Sequence, residues 1–166
     1  IPENEQGHLH RCIGYWILKH ISNDTVDDVL FILVDQLNRG KRCIEEDNQR
    51  IDLAVLNLRA GKKAMSLATF LGAASYLKAG INLLCDGHWE RYYDLSLQLY
   101  SSYAEAEFCN GHFQEVGRAT GIVIKHATLF EDKLRVYSTL IKSLAGESKL
   151  QSAIDIGIKV IIDLGV

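Results

Sequence analysis

The stretch Tyr92-Tyr-Asp-Leu-Ser-Leu-Gln-Leu-Tyr100-Ser-Ser-Tyr-Ala104-Glu-Ala-Glu107 decides the fold. On a helix, Tyr92, Leu95 and Leu99 mark one face, and Tyr93, Leu97, Tyr100 and Ala104 mark another. A helix with two apolar faces must be covered from two directions, as a middle layer of stacked hairpins is. This helix is expected to run from Trp89 to about Asn110.

Downstream, Gly111 turns the chain into a helix over Phe113 to His126, followed by one over Glu131 to Leu144. Ala145-Gly-Glu-Ser148 then leads into a last helix from Leu150 to Leu164. Tyr100, Phe113 and Val116 recur as Tyr137, Leu150 and Ala153, each offset by 37 residues. That period lies near the tetratricopeptide range. In that motif a large residue on the first helix packs near an aromatic and a small residue opening the second. Neither copy carries the full tetratricopeptide residue set.

Upstream, a helix is expected over His8 to Ile21, with Ile13, Trp16, Ile17 and Ile21 at helical spacing. Ser22-Asn-Asp-Thr25 supplies a turn and a cap. The next helix, Thr25 to Asn38, carries Val26, Val29, Leu30, Leu33 and Leu37 as one stripe, and closes at Arg39-Gly-Lys-Arg42. Glu45-Glu-Asp47 opens a third, with Ile51, Val55 and Leu58 on one face, ending at the turn Arg59-Ala-Gly-Lys-Lys63. A fourth runs from Lys63 to Leu84 and is rich in small residues (Ala64, Ala68, Gly72, Ala73, Ala74, Ala79) that permit close helix approach. Cys85-Asp-Gly-His88 is a turn with Asp86 as its cap. The expectation is an all-α chain: a single domain over residues 1–166, built as a right-handed α-solenoid of about four antiparallel hairpins, with Gly40, Gly61, Gly111 and Gly146 at the turns.

Composition narrows the function. The chain has 166 residues, 48% hydrophobic, with a formal net charge of −3. Both signs are spread along it, so a nucleic-acid partner is not expected. No apolar run approaches the roughly 20 residues that span a bilayer, and the start lacks a signal-peptide pattern. Asn23-Asp-Thr25 matches a glycosylation acceptor but reads as a helix start. Cys12, Cys43, Cys85 and Cys109 are far apart, with no paired spacing for zinc, and read as buried thiols in a reducing compartment. The six histidines form no metal-ligand motif. Phosphate loops and nucleophile elbows are absent. No catalytic, cofactor-binding or metal residue is assigned, and the chain is not expected to be an enzyme.

Two features suit an interaction surface. Arg39, Lys41 and Arg42 at one turn and Arg59, Lys62 and Lys63 at another are candidates for one basic patch toward an acidic partner, although helix C-termini attract cations anyway. Trp89, in Asp86-Gly-His-Trp-Glu90, is either an exposed contact residue or a ring packed across a hairpin.

The strings Leu30-Phe-Ile-Leu-Val-Asp-Gln-Leu-Asn38, Leu53-Ala-Val-Leu-Asn-Leu-Arg-Ala-Gly-Lys-Lys-Ala64 and Ala74-Ser-Tyr-Leu-Lys-Ala-Gly80 carry a resemblance across essentially the whole chain. So do His88-Trp-Glu90, Tyr93-Asp-Leu-Ser-Leu97, Ala104-Glu-Ala-Glu107, Asn110-Gly-His-Phe113 and Leu150-Gln-Ser-Ala-Ile-Asp-Ile-Gly157. Together they resemble the tetratricopeptide-like helical region that follows the AAA/STAND-type ATPase module in large bacterial and fungal hybrid signalling kinases. The resemblance implies a fragment of a larger cytoplasmic protein. It implies a non-catalytic scaffold or sensor whose partner is another protein or the neighbouring ATPase and kinase domains. Related STAND-type ATPases bind an inducer on a helical superhelix, so small-ligand sensing is the alternative, and a purely structural linker is a third.

Overall fold

The computed structural model describes residues 3–21 and 25–165. The expected cap at Ser22–Asp24 and the Asn23 acceptor site lie outside the described residues. The described residues form helices α1 (Glu3–His20), α2 (Val26–Arg39), α3 (Asp47–Ser66), α4 (Phe70–Ile81), α5 (His88–Arg91), α6 (Tyr93–Cys109), α7 (Phe113–His126), α8 (Phe130–Gly146) and α9 (Leu150–Asp163). A 3-10 turn, Lys41–Cys43, follows α2. Among the described residues there is no strand, so the chain is all-α.

Sequence neighbours pack on each other: α1 on α2, α3 on α4, α6 on α7 and α8 on α9. Helix α6 also lies against α3, α4 and α8, which gives both of its apolar faces cover. Leu30, Leu33, Val34, Leu37, Leu53, Leu77 and Leu99 fill the main core, and Trp89, Val123, Ala127 and Val136 form a smaller one. Each fully buried leucine contributes about 2 kcal/mol of apolar transfer free energy.

Three of the hairpin turns are superposable in their bonding. They are Leu67-Ala68-Thr69, Asn110-Gly111-His112 and Glu147-Ser148-Lys149. The first N–H of each donates four residues back, to Lys63, Ala106 and Ser143. The second donates three back, to Met65, Phe108 and Ala145, and the third five back, to Ala64, Glu107 and Leu144. The middle residue is left-handed each time, with φ of 55° at Ala68, 75° at Gly111 and 62° at Ser148. This satisfies carbonyls that a helix end otherwise strands. The third residue's carbonyl then accepts from Ala73, Val116 and Ala153, all of them buried. Helices α6 and α8 both have 17 residues and start 37 apart; α7 and α9 both have 14 and start 37 apart.

Several boundaries differ from expectation. Gly61 is not at a turn: α3 runs straight through it to Ser66. The glycine is there for proximity, because a Cβ on it would lie 2.5 Å from Leu77 Cγ. Helix α4 is therefore 12 residues long, not the long helix expected. The helix expected over 89–110 breaks at Tyr92 (φ −136°, ψ 52°). Asp86 makes no side-chain cap; Gly87, with φ 73°, precedes α5 instead. Val55 faces outward while Leu53, Ala54, Asn57 and Leu58 are buried. The cysteines are free but none is buried: Cys12 and Cys109 are exposed, and Cys43 and Cys85 are half-buried.

Candidate functional site

The two basic groups occupy opposite ends of α2. Arg39, Lys41 and Arg42 lie at its C-terminal end, around a cavity of about 360 Å³ shared with Gln6, Gly7, His10, Asn38 and Cys43. Nearby, Arg11 Nη1 donates to the Cys43 carbonyl at 2.6 Å, and His10 Nδ1 lies 2.7 Å from Gln36 Oε1. Arg59 instead reaches Asp27 in the first turn of α2, with Nη2 at 2.9 Å from Oδ1. Lys63 Nζ donates to the Asp27 carbonyl and stands 5.2 Å over the Phe31 ring. Lys62 bonds Gln98 on α6. At 1.5 Å rise per residue, Asp27 and Arg39 are roughly 18 Å apart. The single basic patch is thus divided. Arg59, Lys62 and Lys63 fasten α3 to its neighbours, and the group at Arg39–Arg42 borders a cavity.

Trp89 is buried, not an exposed anchor. His126 stacks on it at 5.3 Å and 9°, Tyr100 at 5.7 Å, and Tyr93 meets it edge-on at 5.9 Å. One turn of helix after Gly87 suffices to present it to α7. Around it, Asp86, His88, Glu90, Tyr100, Ile122 and His126 line a cavity of about 350 Å³. His88 Nδ1 lies 2.7 Å from Ser96 Oγ. Burial holds the His88 pKa below its ordinary value, with nearby His126 adding to the shift. Burial also raises the Tyr100 hydroxyl. The cavity offers aromatic faces, two imidazoles and two acidic side chains.

Of the repeat positions, Tyr100 and Tyr137 are each the eighth residue of their helix. Tyr137 is buried beside Phe130 (6.2 Å), while Tyr100 is half-buried against Trp89 and His88. Val116 and Ala153 are both buried. Phe113 reaches the end of α8, where a Cβ on Gly146 would lie 3.2 Å from its ring, whereas Leu150 is exposed.

Two features escaped the sequence reading. Buried Glu107 accepts from His112 at 2.5 Å, and Tyr103 donates to Glu115 at 3.4 Å beside it. Burial, then the bond to Glu107, raises the Tyr103 pKa well above normal. Along α9, Leu150, Ile154, Ile158 and Ile162 form an exposed row, whose four-residue spacing was legible as a stripe. Among the described residues no group of three or more His, Cys, Asp or Glu is placed to hold a metal. No described helix is long and apolar enough to cross a membrane.

The chain is 25% identical over 146 residues to hybrid signal transduction histidine kinase G of Dictyostelium discoideum. The aligned region covers 82% of this chain and 4% of that protein, so the chain is similar to a small segment of a signalling protein. No family model matches the chain. No solved structure matches it.

Proposed function

We propose that the chain is a non-catalytic helical-repeat segment of a multidomain signalling ATPase/kinase. Its hairpins stack as a tetratricopeptide-like right-handed α-solenoid, which in the cytoplasm holds a protein partner or the neighbouring ATPase and kinase domains. The observation that carries this reading is the recurrence of one turn three times, with the same three backbone bonds and a small buried residue (Ala73, Val116, Ala153) four positions after its last residue. Stacked units of one kind build extended surfaces that suit docking. The test is titration of the 166-residue chain with the purified neighbouring domains of its parent protein. Saturable binding that weakens when Arg39, Lys41 and Arg42 are changed to Glu supports the reading. Absence of binding to every neighbouring domain by a folded chain sinks the interdomain role.

The cavity beside Trp89 favours a second reading, small-ligand sensing, because convergent polar groups meet aromatic faces there. A thermal-shift screen of metabolites, with Trp89→Ala as control, separates the two readings.

A further inference from the structure

Helix α9 breaks the repeat on its outer side. The positions 37 residues earlier, on α7, are Phe113, Gly117, Gly121 and Lys125. Beyond Phe113 that side is small or charged, and a Cβ on Gly117 or Gly121 would meet nothing within 4 Å. On α9 the same positions hold Leu150, Ile154, Ile158 and Ile162, with 60%, 54%, 52% and 65% of their surface exposed. Ile161 and Leu164 widen the strip. One flank of this row reads Gln151, Asp155, Lys159 and Asp163.

We propose that this row is a self-association surface, on which α9 of a second copy packs antiparallel about a two-fold axis. The flank supplies the argument for a second copy. Asp155 and Lys159 stand one turn apart on the same side, so their order is reversed in an antiparallel partner. In the register that seats Ile158 between Ile154 and Ile158 of the second copy, Ile154 sits between its Ile158 and Ile162. The same register sets Asp155 opposite Lys159, twice over by symmetry, and Gln151 opposite Asp163. Within one copy Asp155 already accepts from Gln151 at 2.8 Å, which leaves its second carboxylate oxygen for the lysine. Both helices present i, i+4 ridges, and ridges of that kind interdigitate when helices cross. The contact is isologous, so it closes as a dimer and does not propagate into fibres. One helix per copy is a small interface, of the class formed by weak associations.

Sedimentation equilibrium of the chain from about 1 to about 200 µM tests this. The expected result is a monomer–dimer equilibrium. Ile158→Glu weakens it about tenfold or more, because dimerisation then buries an unpaired charge. Asp155→Lys weakens it as well, and adding Lys159→Asp to that variant restores it. All of these positions are exposed, and circular dichroism checks that each variant keeps its helices. A monomer throughout the range overturns the proposal and leaves the row to a different occupant, such as another helix of the parent protein. A dimer indifferent to Ile158→Glu also overturns it, as does a double charge reversal that recovers nothing.

Discussion

The pairs α6/α7 and α8/α9 share lengths, offset and turn, yet they meet their surroundings differently. Helix α6 touches α3, α4, α7 and α8, so its apolar faces are spent inside the protein. Residues Ala119, Thr120 and Val123 of α7 are buried, while their counterparts Ile156, Gly157 and Val160 on α9 are only half-buried. The two pairs thus share turn bonding and helix length, and they differ in how far side chains at matched positions are covered. Substitutions at matched positions can break or sharpen that contrast.

The largest effect belongs to the core. Leu99 and Val136 hold the same place in α6 and α8, and both are fully buried. Leu99→Ala is expected to cost about 3 kcal/mol in urea unfolding and Val136→Ala about 2 kcal/mol, from lost transfer energy plus the cavity left behind. Equal costs would show that the outer pair is as tightly packed as the inner one.

The turns come next. A side chain in the left-handed region costs about 1–2 kcal/mol relative to glycine, less what glycine gives up in the unfolded chain. Gly111→Ala should therefore destabilise by about 1 kcal/mol. Ala68→Gly and Ser148→Gly should each stabilise by about 0.5–1 kcal/mol. If Ser148→Gly destabilises instead, the equivalence of the turns fails.

Smaller still is the Arg135–Glu105 pair between α8 and α6, bonded through two nitrogens at 2.6 Å. It is a third to a half exposed, so solvent screening limits it to about 0.5 kcal/mol. Raising salt should shrink the loss measured for Arg135→Ala.

The mildest effect is on pH. His88 has a folded pKa below its ordinary 6.5, so the unfolded chain takes up a proton first as pH falls. Stability from this group is full above about pH 6.5 and declines below it, through the folded pKa. His88→Gln should flatten that decline in denaturation series run from pH 8 to pH 5. An unchanged slope would move its cause elsewhere.

The helix expected after the Gly111 turn, over about Phe113 to His126, coincides with α7. The expected α3–α4 boundary is misplaced for a physical reason. Gly61, with Arg59 before it and two lysines after it, resembles a helix end, yet what it provides is close approach to Leu77, and the true stop is Ala68, a residue that hides its left-handed conformation. Tyr92 likewise interrupts a helix that periodicity alone would continue. The surface was harder to read. Local charge flagged Arg59, Lys62 and Lys63, but only tertiary structure reveals that Asp27 and Gln98 engage them. Trp89 drew notice from its type, and the rings that bury it come from α6 and α7.

Asn57 stands ten residues before its turn, as Tyr100 and Tyr137 stand before theirs. It is fully buried and exchanges two 2.9 Å bonds with Asn38, each amide giving and receiving. Greasy seams slide by small steps, because one apolar neighbour serves as well as the next. A reciprocal amide pair permits no intermediate position, since displacing it strands donors and acceptors at about 1–3 kcal/mol each. The joint between α2 and α3 therefore has one preferred register, fixed by the amide pair rather than by the apolar seam around it.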